Sequence, residues 1–198
     1  MKAMLAKQLR PALLGAVVLC LMTGFVYPGV VTGLAQLLFP RQANGSLVTV
    51  DGVVVGSALI GQGFARPEYF HPRPSAAGAG YDPTASGGTN KGPTDRKLAD
   101  TLIAESVAGV RKVDGVMGPI PADMVTRSAS GLDPHISPAN AALQVARVAG
   151  ARGVGVDQVR EILARHTEGR QFGFFGEPRV NVLLLNIALD SALGRRGR

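Results

Sequence analysis

Pro11-Ala-Leu-Leu-Gly-Ala-Val-Val-Leu-Cys-Leu-Met-Thr-Gly-Phe-Val-Tyr-Pro-Gly-Val-Val-Thr-Gly-Leu-Ala-Gln-Leu-Leu-Phe39 is a run of 29 residues without a charge. A helix of that length at about 1.5 Å per residue reaches roughly 43 Å, more than the roughly 30 Å hydrocarbon core of a bilayer. The run predicts one transmembrane anchor over residues 11–39, with its core at about 11–33. Lys2, Lys7 and Arg10 precede it and only Arg41 lies close behind. The positive-inside rule therefore predicts that residues 1–10 are cytoplasmic and that a single soluble domain, residues 40–198, lies outside.

Gly33-Leu34-Ala35 offers the small residues of a signal-peptidase site, and a cut there would release an exported binding protein or hydrolase. The apolar run is long for a signal core, however, and Gln36-Leu37-Leu38-Phe39 continues it past the cut. A retained anchor is the stronger reading. Within it, Gly29 and Gly33 form a small-xxx-small step of the kind that lets membrane helices approach closely. Pro28 cannot donate to the Gly24 carbonyl, which predicts a kink near the outer end.

Past the anchor, 18 Lys and Arg stand against 14 Asp and Glu, interspersed in sign and without a basic tract. Nucleic acid is thereby disfavoured as a partner, while lipid headgroups or an acidic partner suit the mildly basic balance. The single cysteine, Cys20, lies in the anchor, so the domain is expected to fold without disulfides or cysteine metal sites.

Asp51-Gly52 between Ser46–Val50 and Val53–Ser57 predicts a β-hairpin with a type I′ turn. Residues 56–95 then hold 8 Gly and 5 Pro but also Phe64, Tyr69, Phe70 and Tyr81, four of the ten aromatics. Disordered linkers are poor in rings, so this block predicts a long ordered loop pinned by them and shaped for binding. Helices are expected from Asp95 to about Lys112 with Thr94 as cap, from Pro138 to near Gly153 through Ala142, Val145 and Val148 with Ser137 as cap, from Val156 to His166, and from Val180 to Leu193. A short strand is expected around Asp123 to Arg127. The fold class is therefore α+β: one transmembrane helix, then one extracytoplasmic α/β domain with an N-terminal hairpin, a long ordered Gly/Pro-rich loop and C-terminal helices.

Catalytic constellations are thin. Ser128, Ser130, Asp133 and His135 resemble triad members, but neighbours in sequence rarely form a triad, and turn hydrogen bonding accounts for them. His71, His135 and His166 lack i, i+4 pairing, so no metal site is expected. Ser86-Gly87-Gly88-Thr89-Asn90-Lys91-Gly92 offers backbone N–H groups and an ammonium to an anion, but it is not a Walker loop.

Several long strings resemble one family, the KdpC chains of the Kdp potassium-transporting ATPase. They are Gly56-Ser-Ala-Leu-Ile-Gly-Gln62, Tyr69-Phe-His-Pro-Arg-Pro-Ser-Ala-Ala77, Tyr81-Asp82, Ser86-Gly-Gly-Thr-Asn90, Ser128-Ala-Ser-Gly-Leu-Asp-Pro-His-Ile-Ser-Pro138 with Gln144 and Arg147, and Gly176-Glu-Pro-Arg-Val-Asn-Val182 with Asn186. Thr89 stands where the family usually has Ser, and Lys91 where it often has Leu. The resemblance implies an accessory, noncatalytic chain in a complex with the potassium-binding, channel-like KdpA, the ATP-hydrolysing P-type KdpB and the small KdpF. It also implies a role as catalytic chaperone that raises the ATP affinity of KdpB, with ATP shared between the two and no cofactor of its own. On this reading Gly29, Gly33, Tyr69, Phe70 and Arg73 are candidate partner contacts, and Ser86, Gly87, Gly88, Ser130 and Gln144 are candidate nucleotide contacts. An outside domain meets little ATP, which favours instead a cap on the external face of KdpA.

Overall fold

The structure, a computed structural model, describes residues 2–194, with side chains from residue 7 onward. Met1, the Lys2 side chain and the last four residues of the expected 40–198 domain lie outside the described residues. Contacts divide the chain into two units, Met1–Leu47 and Val48–Arg198.

The first unit is helical: α1 (Lys2–Leu21), a π turn (Met22–Val26), α2 (Tyr27–Leu38) and the short α3 (Pro40–Ala43). Lys7–Leu38 is long and apolar enough to cross a membrane, and none of it is buried within the chain. The irregularity expected at Pro28 falls one turn earlier. The Tyr27 N–H bonds the Met22 carbonyl, a five-residue step. Pro28 has no N–H for the Gly24 carbonyl, and a widened turn ahead of it shifts the pairing. Phe39 leaves helical geometry at φ −137°. There Asn44 donates to the Pro40 carbonyl at 2.7 Å and to Gln36 Oε1 at 3.1 Å, closing the end of the helix.

The second unit is an α+β domain. Strands β1 (Leu47–Val50) and β2 (Val53–Ser57) pair as expected, with Asp51 at φ 52° and Gly52 at φ 79° in the turn. A π turn (Lys97–Ile103) leads into α4 (Ala104–Asp114). The expected cap, Thr94, is replaced by Asp95, whose carboxylate accepts from the Lys97 N–H at 2.8 Å and the Leu98 N–H at 3.3 Å.

Where a strand was expected at Asp123 to Arg127, the chain forms one helical turn, α5 (Ala122–Val125). Pro121 starts it, and the Thr126 hydroxyl bonds back to the Ala122 carbonyl at 2.7 Å. Such local bonding wins over the β propensity of Met124-Val125-Thr126. The strand that does form is β3 (His135–Ile136).

Helix α6 (Pro138–Arg152) opens on Ser137, whose Oγ accepts from the Asn140 N–H, and closes on Gly153 at φ 64°. Its buried face carries Ala141, Val145 and Val148, whereas Ala142 is exposed. Helix α7 (Val156–Arg165) follows, then β4 (Thr167–Glu168), β5 (Arg179–Asn181) and α8 (Val182–Leu193). Residues 180 and 181, expected in the last helix, instead form the centre of an antiparallel sheet ordered β3-β5-β4, with Ile136 and Thr167 both opposite Val180. Asn181 then caps α8 by accepting from the Leu184 N–H. Val148, Val159, Ile136, Val180, Leu185 and Leu189 meet in one core, and Phe70 of the long loop, at 0% exposure, fills it.

Candidate functional site

Residues 66–73 lie against α6 and α8 as a strap held by side chains rather than by a neighbouring strand. Two buried amides do the work of strand partners. Asn186 of α8 accepts from the Phe70 N–H at 2.8 Å and donates to the Phe70 carbonyl at 2.9 Å. Gln144 of α6 does the same for His71, at 2.7 and 3.0 Å. Two arginines of α6 take the carbonyls before them. Arg147 donates to Pro67 and Tyr69 at 2.6 and 2.9 Å, and Arg152 to Glu68 at 2.8 Å. Each guanidinium also pairs with a carboxylate, Arg147 with Asp114 at 2.6 Å and Arg152 with Asp190 at 2.8 Å. Tyr69 donates to the same Asp190 at 3.0 Å, and Arg152 lies 5.2 Å from its ring centre. A planar five-donor fork suits such simultaneous recognition of carbonyl and carboxylate.

Two ionisable groups of the strap respond to this setting. Burial, aided by the Arg147 charge, lowers the His71 pKa, although the Arg66 carbonyl 3.1 Å from Nε2 pulls the other way. Burial raises the Tyr69 pKa, and its bond to Asp190 adds to that.

A second cluster joins the Gly-rich stretch to the Ser128–Asp133 turn. The Gly87 N–H donates to the Ser130 carbonyl at 2.9 Å, and the Ser86 hydroxyl reaches the same oxygen at 2.9 Å. Ser75 Oγ donates to the Gly131 carbonyl at 2.6 Å while accepting from the Ala77 and Tyr81 N–H groups. Gly131 sits at φ 68°, and a Cβ there would lie 2.6 Å from the Ala77 nitrogen and 2.7 Å from the Gly87 oxygen. Only glycine fits, in conformation and in space. Ser128 Oγ accepts from the Gly131 N–H, and Asp133 accepts from the His135 N–H as well as pairing with Arg73, so these groups brace the turn and do not form a nucleophile–base chain.

Arg73 pairs with Asp133 at 3.0 Å, and its Nε is buried without a hydrogen-bond partner. For Asp133, burial acts to raise the pKa, but bonds from His135 and Arg73 outweigh it and bring it down to about 2. Both residues line an open cleft of about 510 Å³ together with His135, Glu177 and Arg179. Burial pushes the Tyr81 phenol up to about 12, and its hydroxyl donates to the Arg73 carbonyl at 2.6 Å.

The candidate residues thus part company. Ser86, Gly87, Gly88 and Ser130 come together, but Gln144 is 1% exposed and engaged with the strap. Tyr69 and Phe70 are adjacent in sequence, yet Phe70 faces the chain's own core while Tyr69 is half-buried. Gly29 and Gly33 sit on α2 with nothing within 4 Å of where a Cβ would stand. Among the described residues, no three His, Cys, Asp or Glu side chains are grouped to hold a metal ion. The strap-holding roles of Arg152 and Asp190 had no local sequence signal, since their partners lie far along the chain.

Among the described residues, one helix long and apolar enough to cross a membrane precedes an α+β domain with a buried, arginine-held strap, an arrangement that suits an anchored accessory protein. The chain matches the family described as "K+-transporting ATPase, c chain" over residues 9–191, and it belongs to that family. It is 65% identical over 186 residues to the potassium-transporting ATPase KdpC subunit of Gemmatimonas aurantiaca, covering 93% of each chain. It is 59% identical to that of Myxococcus xanthus, covering 92% of this chain and 87% of the relative. To the Koribacter versatilis protein it is 55% identical, with 93% and 94% covered. The match includes nearly all of the apolar helix, and the alternative of an exported binding protein or hydrolase is not supported. The chain is one component of a potassium-transporting ATPase.

Proposed function

We propose that this chain is noncatalytic, that its domain lies outside the cytoplasm, and that it assembles and stabilises the pump by holding the channel-like KdpA and the P-type KdpB together. The small KdpF and lipid complete the environment of the anchor. ATP stays with KdpB, and this chain needs no cofactor of its own.

The observation that carries this reading is the internal engagement of the nucleotide candidates. The Gly87 N–H, needed to cradle a phosphate, is bonded to Ser130, and the Gln144 amide is bonded to His71. An anion would have to displace bonds already made. The charge bias of Lys7 and Arg10 against Arg41 supports an outside domain.

Photoaffinity labelling of the purified full-length chain in detergent with an azido-ATP tests the point. No saturable labelling is expected. Saturable labelling competed by ATP and mapped to Ser86–Gly88 or Ser130 would restore the shared-nucleotide role.

A further inference from the structure

Between β4 and β5 the chain reverses through Gly169-Arg-Gln-Phe-Gly-Phe-Phe-Gly-Glu177. Gln171 and Phe175 pair across it, each N–H donating to the other's carbonyl at 2.9 Å. At its base Arg170 holds both carboxylate oxygens of Glu177, at 2.8 and 2.7 Å. This small, braced hairpin carries no core residue. Instead Phe172, Phe174 and Phe175 are 87%, 65% and 58% exposed, and the last two rings lie tilted by 40° with their centres 4.3 Å apart. Phe172 sits at φ 53°, a backbone conformation that costs a bulky residue energy.

We infer that this hairpin is a docking knob that inserts its three rings into an apolar pocket on another protein of the same ATPase. The inference rests on the accessory-chain reading. The rings present on the order of 400 Å² of aromatic surface, the size of a functional patch. Two copies meeting through it would bury roughly 800 Å², below the roughly 1,200 Å² of a stable interface. A partner held in the same membrane does not face that threshold, because tethering to a common membrane raises its effective concentration. Lipid fits less well. The cations around the hairpin are paired, Arg170 with Glu177, Arg179 with Glu168 and Arg165 with Glu161, so they offer little to anionic headgroups.

The test places a photocrosslinking p-benzoylphenylalanine at Phe172 in the full-length chain, produced together with the other ATPase components. The complex is purified through a tag on one of those components, irradiated and analysed by mass spectrometry. An adduct with another protein of the complex is expected. In parallel, the variant combining Phe172→Ser, Phe174→Ser and Phe175→Ser should lose roughly tenfold or more in retention, as for hot-spot anchors, while its thermal midpoint in detergent is unchanged. Adducts only with lipid, adducts with a second copy, no adduct, or undiminished retention would each overturn the inference alone. Failure of the unsubstituted chain to co-purify would overturn the accessory-chain reading and this inference with it.

Discussion

At the residue scale, His71 and Asp133 couple folding to pH in the same sense but in different pH ranges. His71 has a lowered pKa when folded, so the unfolded chain binds its proton more readily. Stability from this group is therefore present above the ordinary histidine pKa of about 6.5 and is lost as pH falls below it toward the folded value. Thermal midpoints of the full chain in detergent should decline from pH 7 to pH 5, and His71→Asn should flatten that slope; an unchanged slope would count against it. Asp133, with its pKa near 2, behaves in the same sense at lower pH. Its contribution holds above about pH 4 and fades toward pH 2. Gly131→Ala combines a left-handed backbone with a Cβ 2.6 Å from the Ala77 nitrogen. It should cost about 2 kcal/mol or more, read as a lowered urea midpoint.

At the element scale, the long loop is anchored in the core through Phe70. Phe70→Ala should cost roughly 3–5 kcal/mol, as large-to-small core changes do. Tyr69→Ala, which removes a half-buried ring and one hydrogen bond, should cost less. Limited proteolysis within residues 56–95 should accelerate for Phe70→Ala first; equal rates for both variants would refute the ranking. Much of this was legible in the sequence, because rings in a Gly/Pro-rich block are a strong sign of order. The turn at Asp51-Gly52 and the cap Ser137-Pro138 were equally local and equally readable. What pins the loop was not readable, since Gln144 and Asn186 lie 73 and 116 residues from the peptides they bond. The strand expected over residues 123–127 does not form because a side-chain bond from Thr126 outweighs β propensity. The exposed rings of the Phe172 hairpin did carry a signal, glycines bracketing phenylalanines without an alternating pattern. On α2, Gly29→Leu with Gly33→Leu should leave membrane insertion intact but reduce co-purification with the large membrane proteins of the pump, since bulk blocks close helix approach and lipid accepts it. Unaltered co-purification would make these glycines incidental.

At the scale of the whole molecule, this component of a potassium-transporting ATPase carries, among its described residues, one helix long and apolar enough to cross a membrane, Lys7–Leu38. Its domain engages the nucleotide candidates in bonds of its own, Ser86 and Gly87 with Ser130 and Gln144 with His71, and it displays three exposed aromatic rings. Both traits suit the proposed role, a chain that holds neighbours together outside the cytoplasm. The side on which the C-terminus lies therefore tests the account most directly. A reporter fused after Arg198 and active only in an exported, oxidising compartment is the expected result; activity only in the cytoplasm would contradict the account and return Ser86–Gly88 to contention as a nucleotide site.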